Sequence, residues 1–170
     1  MADNFDKTRE IDKEAAAQKG MAHQFLTFTV DNDEYGVDIM TVREIKGWTE
    51  TTRLPNASEF MRGVMNLRGL IIPIFDLRAR FTGSLTEATP KHVTIVLIAG
   101  LRTVSILADT VSDILTVSSE EIKPAPEMDN DVERRYVTGL IAVENRMVVL
   151  LDIEKLLAHS LEHIDQSHAA

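Results

Sequence analysis

The chain has 170 residues, 44 % of them hydrophobic, a formal net charge of −9 and no cysteine. The acidity argues against nucleic acid and anionic membrane surfaces as partners, and the missing thiols exclude disulfides and thiolate metal or redox sites. Aromatics are only 5 %, too few for a stacking platform, but the Val, Ile and Leu content can fill one large domain or two subdomains of about 70 residues.

Residues 1–22 are charged and Ala-rich and read as a frayed tail or marginal helix. They lack an apolar stretch of the signal-peptide kind, and no apolar run in the chain approaches the roughly 18 residues of a membrane span. The expected compartment is the cytoplasm. From Gln24 the hydrophobic period becomes two: Phe25–Val30 and Tyr35–Ile39 read as a hairpin around the polar turn Asp31–Glu34, followed by a short extended run, Val42–Ile45. Thr51–Pro55 is a loop, and Ser58–Arg62 can form one helical turn with Ser58 as N-cap and Gly63 ending it.

Gly63–Leu67 and Leu70–Phe75 form a second hairpin around Arg68-Gly69, where the glycine allows the positive φ of a tight turn. Pro73 cannot donate to a ladder and points to an edge strand or a bulge. Asp76 then caps a helical turn. After the polar connector Thr82–Lys91 the series recurs: His92–Ile98 and Thr103–Leu107 as a hairpin, Val111–Leu115 as a short strand, Pro124–Asp129 as a loop, and the hairpin Gly139–Leu151. The two copies align at a constant offset of 76 residues, Gly63 with Gly139, Gly69 with Asn145, Asp76 with Asp152 and Leu77 with Ile153. Two copies of a strand-rich unit read as two similar small β-barrels. The end is helical, with Ile153, Leu156, Leu157, Leu161 and Ile164 on one face; the last few residues should fray.

Candidate chemistry is thin. Asp31-x-Asp33-x-x-Gly36 resembles the start of a calcium loop, but the ligand positions that follow are Tyr35 and Val42. His159 and His163 have helical i, i+4 spacing without the H-E-x-x-H glutamate or an evident third ligand. No phosphate loop, nucleophile elbow or kinase-type catalytic loop is present. An enzyme is not expected, nor a cofactor. Asp76 and Asp152, after a strand and before a helical turn, suit capping. Arg68 aligns with Glu144, so the repeat does not need a cation there; it is either a solvated turn residue or a recognition residue on a surface hairpin. Ile39-x-x-Val42-x-x-Ile45 is either core or an apolar docking strip.

These residues resemble the CheW family of bacterial chemotaxis coupling proteins. The resemblance is carried by Glu34-Tyr35-Gly36-Val37-Asp38-Ile39, Val42-x-Glu44-Ile45, Gly63-Val64-x-Asn66-Leu67-Arg68-Gly69-x-Ile71-x-Pro73-Ile74-x-Asp76-Leu77-Arg78, Val111–Leu115, Lys123–Glu127 and Thr138-Gly139-Leu140, in order over about residues 22–158. It implies an all-β fold: two intertwined five-stranded SH3-like barrels with a groove between them and a C-terminal helix. The implied division is a tail over 1–22, a CheW-like domain over 23–158 with subdomains of about 23–88 and 89–158 and some strand exchange, and the helix end and tail over 159–170.

The same resemblance implies a non-catalytic adaptor joining the cytoplasmic tips of methyl-accepting chemoreceptors to the regulatory domain of the histidine kinase CheA, with other CheW-like domains as possible neighbours in an array. Arg68 and Val42, with Ile39, Gly63 and Gly69, resemble receptor-contact positions, and an apolar groove between the barrels rimmed by that arginine would dock an amphipathic receptor hairpin. Val111, Lys123 and Met128 resemble kinase-contact positions, and Glu44 one facing CheA or a neighbour. Lys123 stands where Arg is frequent, and Met128 where an aromatic is frequent. A coupling protein of a non-flagellar system is the nearest alternative; a small metal enzyme using His159 and His163 is the distant one. The CheA regulatory domain itself and CheV fit less well, because 170 residues leave no room for a kinase or receiver module beside two barrels.

Overall fold

The computed structural model describes residues 22–127 and 135–168, with side chains in the last helix as far as Glu162. The chain forms β1 (His23–Val30), β2 (Asp33–Asp38), β3 (Val42–Gly47), β4 (Met61–Leu67), β5 (Leu70–Asp76), helix α1 (Leu77–Thr82), β6 (Val93–Ala99), β7 (Arg102–Ala108), β8 (Thr110–Val117), β9 (Val137–Val143), β10 (Arg146–Leu151) and helix α2 (Ile153–His168). The strands make two five-stranded sheets, β8-β1-β2-β10-β9 (barrel I) and β3-β6-β7-β5-β4 (barrel II).

If β6–β10 are counted as the repeat of β1–β5, both sheets have the order third, first, second, fifth, fourth. In each, the first hairpin comes from one half of the chain and the other three strands come from the other half. Each sheet has two junctions between the halves, one antiparallel (β1 with β8, β3 with β6) and one parallel (β2 with β10, β5 with β7). The two repeats meet along the chain between α1 and β6, and each sheet draws on both sides of that division.

Hairpin geometry follows local chemistry. The turn between β1 and β2 is tighter than the four-residue turn read from the sequence: Asp31 and Asn32 alone make it, at φ 52° and 67°. Two positive-φ residues match the twist of paired strands, and Asn and Asp tolerate that region. Arg68 and Gly69 do the same at φ 52° and 89°, and Gly69 N–H donates to Asn66 Oδ1 at 2.8 Å. In the second copy the left-handed residue is Glu144, at φ 53°, and not the Asn145 that aligns with Gly69.

The helical turn expected over Ser58–Arg62 is absent. Met61 N–H donates to Ser58 O at 3.0 Å in a simple turn, and the chain enters β4 at Met61. Ser58 Oγ is buried without a hydrogen-bond partner, so it caps nothing. Val64 N–H and O pair with Thr52 O and N–H at 2.9 and 3.2 Å, and that bridge on the β4 edge holds the segment extended. Pro73 is also not in an edge strand, since β5 runs between β4 and β7. Its ladder with β7 begins at Ile74, one residue beyond the proline.

The two glycines of the repeat have a common reason. A Cβ on Gly63 would lie 2.3 Å from Thr52 O, and one on Gly139 would lie 3.1 Å from Lys123 O and 2.7 Å from Ile122 Cγ2. Each lets an incoming segment cross the start of the fourth strand, Thr52 on Val64 in one copy and Lys123 on Leu140 in the other. The capping expectation holds for both acids. Asp76 Oδ1 accepts from Ala79 N–H at 3.3 Å and Asp152 Oδ1 from Lys155 N–H at 3.1 Å.

The main core joins the barrels and the last helix: Leu26, Phe28 and Val37 of barrel I, Ile95, Leu97, Val104 and Ile106 of barrel II, and Ile153, Leu156, Leu157 and Leu161 of α2. Each fully buried side chain of this size contributes about 1.5–3 kcal/mol. The apolar face of α2 is thus docked as its period predicts; Ile164 and His163 lie beyond the described side chains. Arg102 holds the helix from the strand side, donating to Leu161 O at 3.2 Å.

Candidate functional site

The Arg68 hairpin is an exposed tip on a buried base. Ile72, Ile74 and Phe75 of β5 are fully enclosed, whereas Leu70 and Ile71, beside the turn, are 53 % and 59 % exposed. Arg68 is 78 % exposed, and its Nη2 donates to both carboxylate oxygens of Glu44, at 3.1 and 3.2 Å. Glu44 belongs to β3 and Arg68 to the turn that ends β4; β3 and β4 are the two outer strands of barrel II, so the ion pair spans the edges of that sheet. Glu44, expected to face another partner than Arg68, shares its site. An exposed pair of this kind stabilises the fold by no more than about 1 kcal/mol, so it orients Arg68 more than it holds the barrel.

Of the apolar strip Ile39, Val42 and Ile45, the first two are half-buried against the core, and Ile45 is turned outward at 44 % exposure. The alternation along β3, intermediate then exposed, places Val42 and Glu44 on one face and Arg43 and Ile45 on the other. Val42, Glu44, Gly63, Arg68 and Gly69 all lie in barrel II, with Ile39 in the short turn that leads into β3. Leu70 and Ile71 passed as ordinary strand residues in the sequence; only the register, Leu67 with Leu70 across the turn, shows that they surround the cation.

Val111 and Lys123 lie elsewhere. Val111 is on β8, an outer strand of barrel I, opposite Phe28 and half-buried against the core. Lys123 is exposed and pairs its backbone with Leu140 of β9 through two 2.8 Å hydrogen bonds, while its Nζ donates to Glu120 O at 3.0 Å. Met128 lies outside the described residues. The two candidate groups are therefore separated by barrel.

A cavity of about 370 Å³ opens between the barrels, with Phe25, Val37, Leu151 and Ile153 against Ile98 and with Asp38, Asp152 and Glu154 among its lining residues. The groove was expected to be rimmed by Arg68; its charged lining is acidic instead, and Arg68 does not line it.

Elsewhere, Tyr35 is pushed up to about 12, first by burial and then by the nearby Asp33. Arg78 is held above its ordinary value, first by its hydrogen bond to Asp31. His159 is exposed, and among the described residues no three His, Asp, Glu or Cys side chains come together as a metal site would require.

The family model described as the CheW-like domain matches residues 24–161. The chain belongs to the CheW family. It is 43 % identical over 156 residues to the chemotaxis protein CheW of Klebsiella aerogenes, covering 89 % of this chain and 94 % of the relative. The CheW of Rhizobium meliloti is 43 % identical over 133 residues, covering 78 % and 86 %. The crystal structure of the scaffolding protein TtCheW from Thermoanaerobacter tengcongensis superposes with a TM-score of 0.73 at 25 % identity, covering 81 % of this chain and 93 % of that one. The all-β double-barrel fold, a non-catalytic nature and a scaffold role in chemotaxis follow from this membership. No described helix is long and apolar enough to cross a membrane.

Proposed function

We propose that this CheW-family scaffold couples methyl-accepting chemoreceptors to the histidine kinase CheA, with the receptor tip on barrel II and the kinase regulatory domain on barrel I. The observation that carries the proposal is the separation of the two residue groups. Arg68, Val42, Gly63 and Gly69 belong to barrel II, whereas Val111 stands on outer strand β8 of barrel I and Lys123 is bridged to the other outer strand, β9. Two faces on two barrels allow both partners to bind at once, which coupling requires.

Glu44 joins the receptor side through its bond to Arg68. An arginine held by a carboxylate and flanked by Leu70 and Ile71 suits an amphipathic helical hairpin, the apolar face seating on the two side chains and a partner acid competing for the guanidinium. The protein then works in the cytoplasm, drawn to membrane arrays through receptors and not through lipid, and its outer strands offer edges to further CheW-like domains. A pulldown with a receptor cytoplasmic fragment and with CheA, separately and together, tests this. Each should be captured alone, and both together in one complex. Mutually exclusive capture, or capture of neither, would overturn it.

A further inference from the structure

The chain holds one Trp, two Tyr and six Phe, and six of these nine stand in a single file across the molecule. Phe75, enclosed in barrel II, is 6.2 Å from Phe60. The Arg80 guanidinium lies 5.7 Å from the Phe60 ring and 5.5 Å from the Tyr136 ring. Phe81 stacks at 6.3 Å from Tyr136 and 5.0 Å from Tyr35, and Tyr35 at 6.1 Å from Phe28, enclosed in barrel I. The file thus begins in one barrel and ends in the other, and the cation sits where it crosses.

Phe60 and Tyr136 are the same residue of the repeat. Each precedes the fourth strand, and each carbonyl accepts the N–H of a capping acid, Asp76 at 2.7 Å and Asp152 at 2.8 Å. Arg80 therefore stands between equivalent rings, one from each barrel. Its own repeat counterpart is Leu156, buried under α2, so the fold unit does not itself demand a cation. A guanidinium attracted to two ring faces keeps both contacts only while the rings hold their separation and tilt. An aliphatic chain of similar length would fill space there without that directional hold.

We infer that Arg80 fixes the angle between the two barrels and thereby positions one partner relative to the other. The second part rests on the coupling role proposed above. A scaffold that carries receptor and kinase on separate barrels sets their geometry through the joint between them. With that joint loosened, both partners still bind, but their mutual placement is no longer defined, and a reaction controlled by placement suffers steeply.

The absence of cysteine allows a direct test on the full chain. Arg43→Cys on β3 and Ala142→Cys on β9, both exposed, place one spin label on each barrel. In this background Arg80→Leu should broaden the inter-label distance distribution measured by pulsed electron resonance, and Arg80→Lys, which keeps a cation over the rings, should recover most of the parental width. In unlabelled protein, Arg80→Leu should bind the receptor fragment and CheA separately within about twofold of the parent, as expected of a residue that belongs to neither contact group. Its receptor-dependent kinase activation should fall about tenfold or more.

An unchanged distance distribution in folded Arg80→Leu overturns the clamp, and a broadened one with full activation overturns the positioning role. If Arg80→Leu loses its fold, Phe60→Leu, which removes one ring face and leaves Arg80 in place, is read in the same two assays. If the parent binds neither partner, the coupling reading fails by itself, and the distance distribution still decides whether Arg80 holds the joint.

Discussion

Gly63 and Gly69 sit six residues apart on the same hairpin, and alanine at each should behave very differently. At Gly63 a Cβ would meet Thr52 O at 2.3 Å and Thr52 C at 2.8 Å, and the backbone is at φ +148°, a region L side chains rarely enter. Holding that conformation costs about 1–3 kcal/mol. Relieving the clash breaks the two Thr52–Val64 backbone hydrogen bonds at 2.9 and 3.2 Å, worth about 1 kcal/mol each. Together Gly63→Ala should destabilise the fold by about 3–5 kcal/mol, a large share of the roughly 5–15 kcal/mol that stabilises a typical domain. The melting temperature should fall by roughly 5–15 °C. Gly69 has nothing within 4 Å of the added Cβ, at φ +89°, so Gly69→Ala should cost only about 1 kcal/mol. Thermal unfolding followed by far-ultraviolet circular dichroism measures both. If Gly63→Ala melts within about 2 °C of the parent, the crossing of Thr52 over β4 is not what the glycine serves.

Further outcomes follow from the same contacts. Arg68→Glu removes one exposed ion pair, so it should cost at most about 1 kcal/mol while abolishing receptor-dependent kinase activation; a folded variant with normal coupled activity would refute the assignment. Asp76 is fully buried and accepts from Arg62, Ala79 N–H, Thr86 N–H and Thr86 Oγ1, so Asp76→Ala leaves a half-buried cation unpaired and should cost about 3–5 kcal/mol in urea unfolding. Its repeat partner Asp152 is half-exposed, and Asp152→Ala should cost about 1 kcal/mol, the value of a cap. Tyr35 titrates near 12 in the folded chain against an ordinary 10.0. Its folded pKa is raised, so its contribution to stability is complete below the unfolded pKa and is lost as pH climbs through 10–12. Tyr35→Phe should flatten that alkaline loss, and an unchanged curve would refute it.

Much of this architecture was legible in the chain because the repeat left chemical marks. Gly63 and Gly139 had to be small, and Asp76 and Asp152 had to cap, so both pairs recur at one offset. The exchange of hairpins was not legible in full. Alternation along Phe25–Val30 says which side chains turn inward but not that β1 pairs with β8 while its hairpin partner β2 pairs with β10. Arg68 stood out as a departure from the repeat, whereas its hold on Glu44 depends on two outer strands coming together and has no signature in spacing. Ser58 had the chemistry of a cap, but the backbone pairing of Thr52 with Val64 held the segment extended, and tertiary contact overrode local preference. The role of Arg80 was hidden for the same reason: its two rings are 76 residues apart in the chain.

The shared strand order also fixes a timetable for synthesis. Barrel II has all its strands once Ala108 has left the ribosome, since β3 to β7 lie within the first two thirds of the chain. Barrel I has only its β1–β2 hairpin at that point and must wait for β8, β9 and β10, ending at Leu151. In that interval β1 and β2 are two strands with open edges, and such a ribbon is marginal alone in water and prone to wrong pairing. Barrel II can therefore be built before barrel I exists. A nascent chain stalled just past residue 108 would present a closed barrel carrying a loose hairpin, and a second copy's free hairpin could occupy the place its own later strands should take.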